Sequence, residues 1–129
     1  MNQGKDGNKA FFLDTYALYE FALGNENYKN YFADVESITT IMNLYELYYT
    51  LLREHLTSMA ENFFERFLPV CVEIEPNSVK EAALFRLQNK KLDLSYVDVL
   101  GYIIAKKHGT TFLTGDEKFR GMDNVEFVK

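Results

Sequence analysis

A chain of 129 residues and 15.0 kDa, 47% hydrophobic and 26% charged, has the size and composition of one globular domain. With only 7 Gly and 2 Pro it is not disordered, collagenous or linker-rich, and a core this large needs no metal or disulfide staple, so any metal would be functional. The formal net charge of −5 argues against non-specific nucleic-acid binding as the main task.

The charge is uneven: residues 1–64 hold 4 basic and 9 acidic side chains, and residues 65–129 hold 10 of each. A lone cysteine, Cys71, cannot form an internal disulfide and reads as packed in its strand. No signal-like segment or membrane-length apolar run is visible, so the expectation is a cytoplasmic protein with no membrane partner.

Residues 1–9 (MNQGKDGNK) offer nothing to pack and read as a flexible tail, leaving one domain over 10–129. Ala10–Leu13 is a continuous apolar run, as in a strand covered on both faces, and it stops abruptly at Asp14. The period turns helical over Thr15–Leu23 and ends at Gly24-Asn25, with a second short helix expected over Glu26–Ala33. Ser37–Thr40 is a brief strand. Ile41–Leu56 is the longest helix of the first half, with Ile41, Leu44, Tyr45, Leu47, Tyr48, Leu51 and Leu52 on a broad apolar face and Asn43, Glu46, Thr50 and Arg53 opposite. Another helix is expected over Thr57–Arg66.

Val70, Val72 and Ile74 then alternate with Cys71, Glu73 and Glu75, the period of a half-exposed edge strand. Pro76 or Asn77 opens a helix reaching about Asn89, and Leu94–His108 is a helix capped by Ser95 and closed by Gly109, with His108 a helix-end residue. Thr111–Thr114 is a second central strand, Gly115–Phe119 a turn, and Val125–Val128 a closing strand. Strands alternating with helices imply a parallel sheet with helices on both faces.

In such a sheet the strands end on one edge and the following helices begin there. That rule sends four acids to one rim: Asp14 directly after its strand, Glu46 in the second turn of its helix, Asp98 in the first turn of its helix, and Asp116 just past Thr114. Each also has a plainer role: Asp14 suits a helix cap, Ser95 to Asp98 fits a capping box, Glu46 suits a solvated stripe, and Asp116 suits a turn. Two carboxylates about 4 Å apart repel by about 4 kcal/mol at an effective dielectric near 20. A tight cluster therefore needs protons or a divalent cation, and oxygen-only ligands favour Mg²⁺ or Mn²⁺. Such an ion polarises a phosphate oxygen and activates water, the chemistry of phosphodiester hydrolysis.

The segments Phe11–Thr15 (FFLDT), Thr40–Glu46 (TIMNLYE), Leu94–Asp98 (LSYVD) and Phe112–Phe119 (FLTGDEKF), in this order, resemble the PIN-domain nucleases, which include the VapC-type toxins of toxin-antitoxin pairs. The resemblance implies a three-layer α/β/α sandwich around a mainly parallel five-stranded sheet, and a metal-dependent endoribonuclease. It also implies Asp14, Glu46, Asp98 and Asp116 as metal-binding and catalytic acids, with Thr15, Asn43 and Thr114 as supporting polar groups. The partners it implies are RNA, a second copy of the chain and an antitoxin. Tyr102, beside Gly101, is bulkier than the family usually has there.

The span from Arg86 to Arg120 carries a net charge of +3. Lys90, Lys91, Lys118 and Arg120 are candidates for the RNA phosphate backbone, although solvation, and the helix dipole beside Lys106 and Lys107, account for these charges equally well. Tyr16, Tyr19, Tyr45, Tyr48 and Tyr49 are candidates for an association surface. No Walker-type phosphate loop is present, so ATP use is not indicated. The competing functional class is a catalytically silent PIN-like module that binds RNA or a protein partner. The four acids account for all but −1 of the net charge of −5, so the acidity that disfavoured nucleic acid becomes the clue to the chemistry.

Overall fold

Phe11, Phe12 and Leu13 point alternately to the two faces of a sheet, and that alternation divides the molecule into layers. The computed structural model describes residues 9–33 and 36–129; residues 1–8 of the expected tail lie outside the described residues. The strands are β1 (Phe11–Leu13), β2 (Ser37–Ile38), β3 (Thr111–Thr114) and β4 (Val125–Phe127). The α-helices are α1 (Thr15–Ala22), α2 (Ile41–Arg53), α3 (Thr57–Phe67), α4 (Pro76–Gln88) and α5 (Tyr96–Lys107), and 3₁₀ turns cover Glu26–Phe32, Leu68–Val70, Lys90–Leu92 and Glu117–Phe119.

The sheet runs β2-β1-β3-β4 with every pair parallel, and Phe12 stands opposite Phe112 and Leu13 opposite Leu113. One face carries Phe11, Leu13 and Leu113 under Ala17 and Leu18 of α1, Leu44, Leu47 and Leu51 of α2, and Ala60 and Phe67 of α3. The other carries Phe12 and Phe112 under Ala82 of α4 and Val99, Tyr102, Ile104 and Ala105 of α5. Burying each large apolar side chain contributes roughly 1.5–3 kcal/mol. This is the expected α/β/α sandwich.

The expected fifth strand is corrected. Over residues 70–74 the described chain makes only one bridge, Thr39 to Cys71, held by Thr39 N–H to Val70 O at 3.1 Å and Val72 N–H to Thr39 O at 2.9 Å. Extending that register backward sets Pro69, which has no N–H, against Ser37; extending it forward sets Glu73 against Ile41, already in α2. The alternation is real, but the partner strand is too short to pair with it. Val72 and Ile74 still pack on the Phe12 face, while Cys71 is partly buried against the Phe11 face.

One further reading changes. Helix α2 is rotated from the expected face: Asn43 is fully buried beside Leu44, Leu47 and Leu51, while Ile41, Tyr45, Tyr49 and Leu52 are exposed. Tyr102 is accommodated because its ring lies among Phe85, Phe112 and Phe119 and its hydroxyl donates to Asp123. Its neighbour Gly101 lets α5 approach the sheet: a Cβ there would stand 2.8 Å from the Phe12 ring. Among the described residues no helix is long and apolar enough to cross a membrane.

Candidate metal and active site

All four strands being parallel, their C-terminal ends lie on one edge, where α1, α2 and α5 begin. Asp14 follows β1 directly and is 2% exposed. It occupies the N-cap position of α1, yet its side chain makes no capping hydrogen bond. Instead Thr114, the last residue of β3, donates its hydroxyl to Asp14 Oδ2 at 2.6 Å. Burial, followed by the Asp98 charge, pushes the Asp14 carboxyl up to about 8, against the lowering effect of the Thr114 hydroxyl.

Glu46 reaches the rim from the second turn of α2 through a directed chain of hydrogen bonds. Thr40, the N-cap of α2, donates to Asn43 Oδ1 at 2.7 Å; Asn43 Nδ2 donates to Thr15 Oγ1 at 3.1 Å; Thr15 donates to Glu46 Oε1 at 2.7 Å. Each hydroxyl or amide passes its donor forward, and the chain ends on an acceptor-only carboxylate. Burial and the Asp98 charge raise the Glu46 carboxyl, while the Thr15 hydroxyl opposes the shift. Of the supporting polar groups, Thr15 and Asn43 belong to this chain and Thr114 holds Asp14. Thr40 completes it, a role that nothing in the sequence pattern singles out.

Asp98 fills the plainer of the two roles considered for it. It closes a capping box with Ser95, accepting the Ser95 N–H on Oδ2 at 3.0 Å while its own N–H donates to Ser95 Oγ at 3.1 Å. Burial raises its carboxyl, the Ser95 hydrogen bonds and the Lys118 charge lower it, and Asp116 raises it. Asp116 caps the 3₁₀ turn that follows it through Lys118 N–H, while its own N–H donates to Thr114 Oγ1 at 3.1 Å. Thus Asp98 acts on Asp14 and Glu46, and Asp116 acts on Asp14 and Asp98.

Among the described residues, no Lys or Arg pairs with Asp14, Glu46 or Asp116. No three acidic, His or Cys side chains among them converge closely enough to enclose a cation. A buried carboxyl without a cationic partner, among other acids, fits a hard divalent ion, and Mg²⁺ typically keeps several waters and takes few carboxylates directly.

The basic candidates divide. Arg120 is held by Glu117 at 2.8 Å and lies over Phe127, and Lys118 is held by Asp93, with Nζ 2.9 Å from its carbonyl oxygen. Lys106 and Lys107 pair with Asp123 and Glu81, each at 3.2 Å. Lys90 and Lys91 are exposed in the 3₁₀ turn that follows α4. Of the tyrosines, Tyr19 bonds Glu54, Tyr48 bonds Glu61 and Tyr16 is partly buried, leaving Tyr45 and Tyr49 as the exposed pair.

This sheet order and rim occur with a sequence that matches the PIN domain family over residues 11–125. The chain belongs to the PIN domain family. Sequence comparison with curated proteins finds no match. Solved PIN-like structures share the fold: VapC20 of Mycobacterium tuberculosis, a sarcin-ricin loop cleaving toxin, superposes with a TM-score of 0.78 at 19% identity over 92% of this chain and 99% of that one. A toxin-antitoxin complex from Klebsiella pneumoniae gives 0.71 at 15% identity over 89% and 94%. VapBC2 from Rickettsia felis, bound to a DNA fragment from its promoter, gives 0.70 at 17% over 93% and 99%. In this PIN domain Asp14 and Asp98 come from helix starts, Glu46 from the second turn of α2 and Asp116 from the turn after β3.

Proposed function

We propose that this PIN domain is a metal-dependent endoribonuclease that hydrolyses RNA phosphodiester bonds, the toxin member of a toxin-antitoxin pair. The observation that carries the reading is Asp14: a buried carboxyl held by Thr114, on which Asp98 and Asp116 act and which no Lys or Arg among the described residues pairs with. Asp14, Glu46, Asp98 and Asp116 would hold Mg²⁺ or Mn²⁺, which supplies Lewis-acid polarisation of a phosphate oxygen and a water of lowered pKa. The chain's own part is positioning. Thr114 fixes the Asp14 oxygen, the Thr40-Asn43-Thr15 chain fixes Glu46, and the capping box fixes Asp98.

The toxin assignment rests on the fold shared with VapC20 and with the two toxin-antitoxin assemblies. An antitoxin is the corresponding protein partner, and the exposed stripe Ile41, Tyr45, Tyr49 and Leu52 on α2 is the face assigned to pairing with a second copy. The catalytically silent alternative draws on the looseness of the acid cluster. RNA cleavage assayed with Mg²⁺ and with Mn²⁺ decides between them: the wild type cleaves, and Asp14→Asn and Asp98→Asn fold but do not. Undiminished cleavage by either variant sinks the four-acid site. Failure of the wild type to bind divalent ions at millimolar concentration by calorimetry favours the silent module.

A further inference from the structure

Beside the acidic rim, between the end of α4 and the start of α5, lies a cleft of about 490 Å³ lined by Ala83, Arg86, Leu87, Lys90, Asp93 and Tyr96, among others. Its size falls within the roughly 300–1,000 Å³ of small-ligand sites. Tyr96 is 76% exposed, so its ring contributes little to the core. The Arg86 guanidinium lies 4.1 Å from the ring centroid, and Arg86 is itself fixed by donating Nε–H to Leu94 O at 2.9 Å. Among the described residues the one acid in the wall is Asp93, and it is compensated from outside the cleft by Lys118, 3.8 Å from its carboxylate. Arg86 and Lys90 therefore leave the cleft net positive.

The cleft adjoins the acids. Tyr96 opens α5 two residues before Asp98, and Lys118, which holds Asp93, also acts on the Asp98 carboxylate. An exposed aromatic ring, a planar cation on it and a second cation beside it are the parts needed to stack a base and hold its phosphate. A duplex hides its base faces, so only an unpaired nucleotide can use such a platform.

We propose that the cleft binds an unpaired nucleotide of the RNA next to the scissile bond, its base stacked on Tyr96 and its phosphate held by Arg86 and Lys90. This rests on the ribonuclease reading and assigns one nucleotide's contact to the Tyr96 ring, with little preference for base identity because every base has a stacking face.

The test is the affinity of the full chain for a short fluorescein-labelled single-stranded RNA, measured by anisotropy in EDTA so that cleavage does not consume the probe. Tyr96→Ala should weaken binding roughly five- to one-hundred-fold and Tyr96→Phe should retain it. The wild type should bind the same RNA annealed to its complement less tightly. An exposed side chain leaves the fold intact on substitution, which thermal unfolding checks. Wild-type affinity in Tyr96→Ala, equal losses in both variants, or equal binding of the duplex overturns the stacking platform while leaving the ribonuclease reading standing. Unchanged RNA affinity in Tyr96→Ala with altered self-association on a sizing column assigns the cleft to a protein interface and likewise overturns it. A wild type that neither binds nor cleaves RNA overturns both.

Discussion

Thr114 and Asp14, 100 residues apart in sequence, meet through a 2.6 Å hydrogen bond from the threonine hydroxyl to the buried carboxylate. The same hydroxyl accepts the Asp116 N–H at 3.1 Å, so a single side chain on β3 orients one proposed ligand and the turn that presents another. Thr114→Val keeps the shape and removes both bonds. Leaving a buried acceptor unpaired costs about 1–3 kcal/mol. The loss, read by urea unfolding, should be larger at about pH 8, where more of the Asp14 carboxyl is charged, than at about pH 5. An equal loss at both would mean that the hydroxyl packs without supporting the carboxylate.

Asp14 also sets a sign for the pH dependence of stability. Its folded-state carboxyl sits at about 8 against an ordinary 3.8, so between those values the folded chain holds a proton that the unfolded chain has lost. Stability without metal should therefore fall as pH rises across that window and level off above it. Each tenfold in proton affinity is worth about 1.4 kcal/mol, so Asp14→Asn should be more stable than wild type by about 2 kcal/mol or more near pH 8 and nearly equal near pH 4. Metal must displace the proton, so Mg²⁺ should raise the wild-type Tm more at about pH 8 than at about pH 5, and should barely move Asp14→Asn. A wild-type stability that climbs with pH through the window would contradict the buried-acid account.

How far the sequence anticipates this site depends on the range of the interaction. The Asp14 position is legible because an apolar run that stops on an acid is a local signal, and the capping box at Ser95 and Asp98 spans only three residues. The burial of Asn43 is not legible: helical periodicity sorts polar from apolar, and it cannot see that hydroxyls on Thr40 and Thr15 await the amide. The edge strand fails for a similar reason. Alternation from Val70 to Ile74 records which side chains face the core, whereas strand pairing also needs a neighbour free to pair, and β2 gives way to the Thr40 cap.

Asn43 is the test of the second support. Asn43→Ala leaves the Thr40 hydroxyl without its acceptor and Thr15 without its donor, which should cost about 1–3 kcal/mol in unfolding free energy. With Thr15 free to rotate, Glu46 loses its fixed position, and metal affinity or cleavage should drop roughly 10- to 100-fold. A destabilised variant with wild-type metal affinity and activity would make the chain a packing device alone.

The proposed pairing with a second copy falls on helix α2. Tyr45 and Tyr49 are 64% and 57% exposed, one turn apart, and Ile41 and Leu52 extend the same stripe at 43% and 39%. Arg53 lies over the Tyr49 ring at 5.4 Å and borders it with charge, the arrangement of an apolar interface core with a polar rim. These side chains contribute little to the monomer's core, so Tyr45→Ser with Tyr49→Ser should leave the unfolding free energy within about 0.5 kcal/mol when monomers are compared. The pair should convert a wild-type dimer to a monomer in light scattering coupled to size exclusion. The acids lie on the strand-end rim and the tyrosines on the outer face of α2, so divalent-ion binding should survive the conversion. A double variant that stays dimeric assigns the interface to another face.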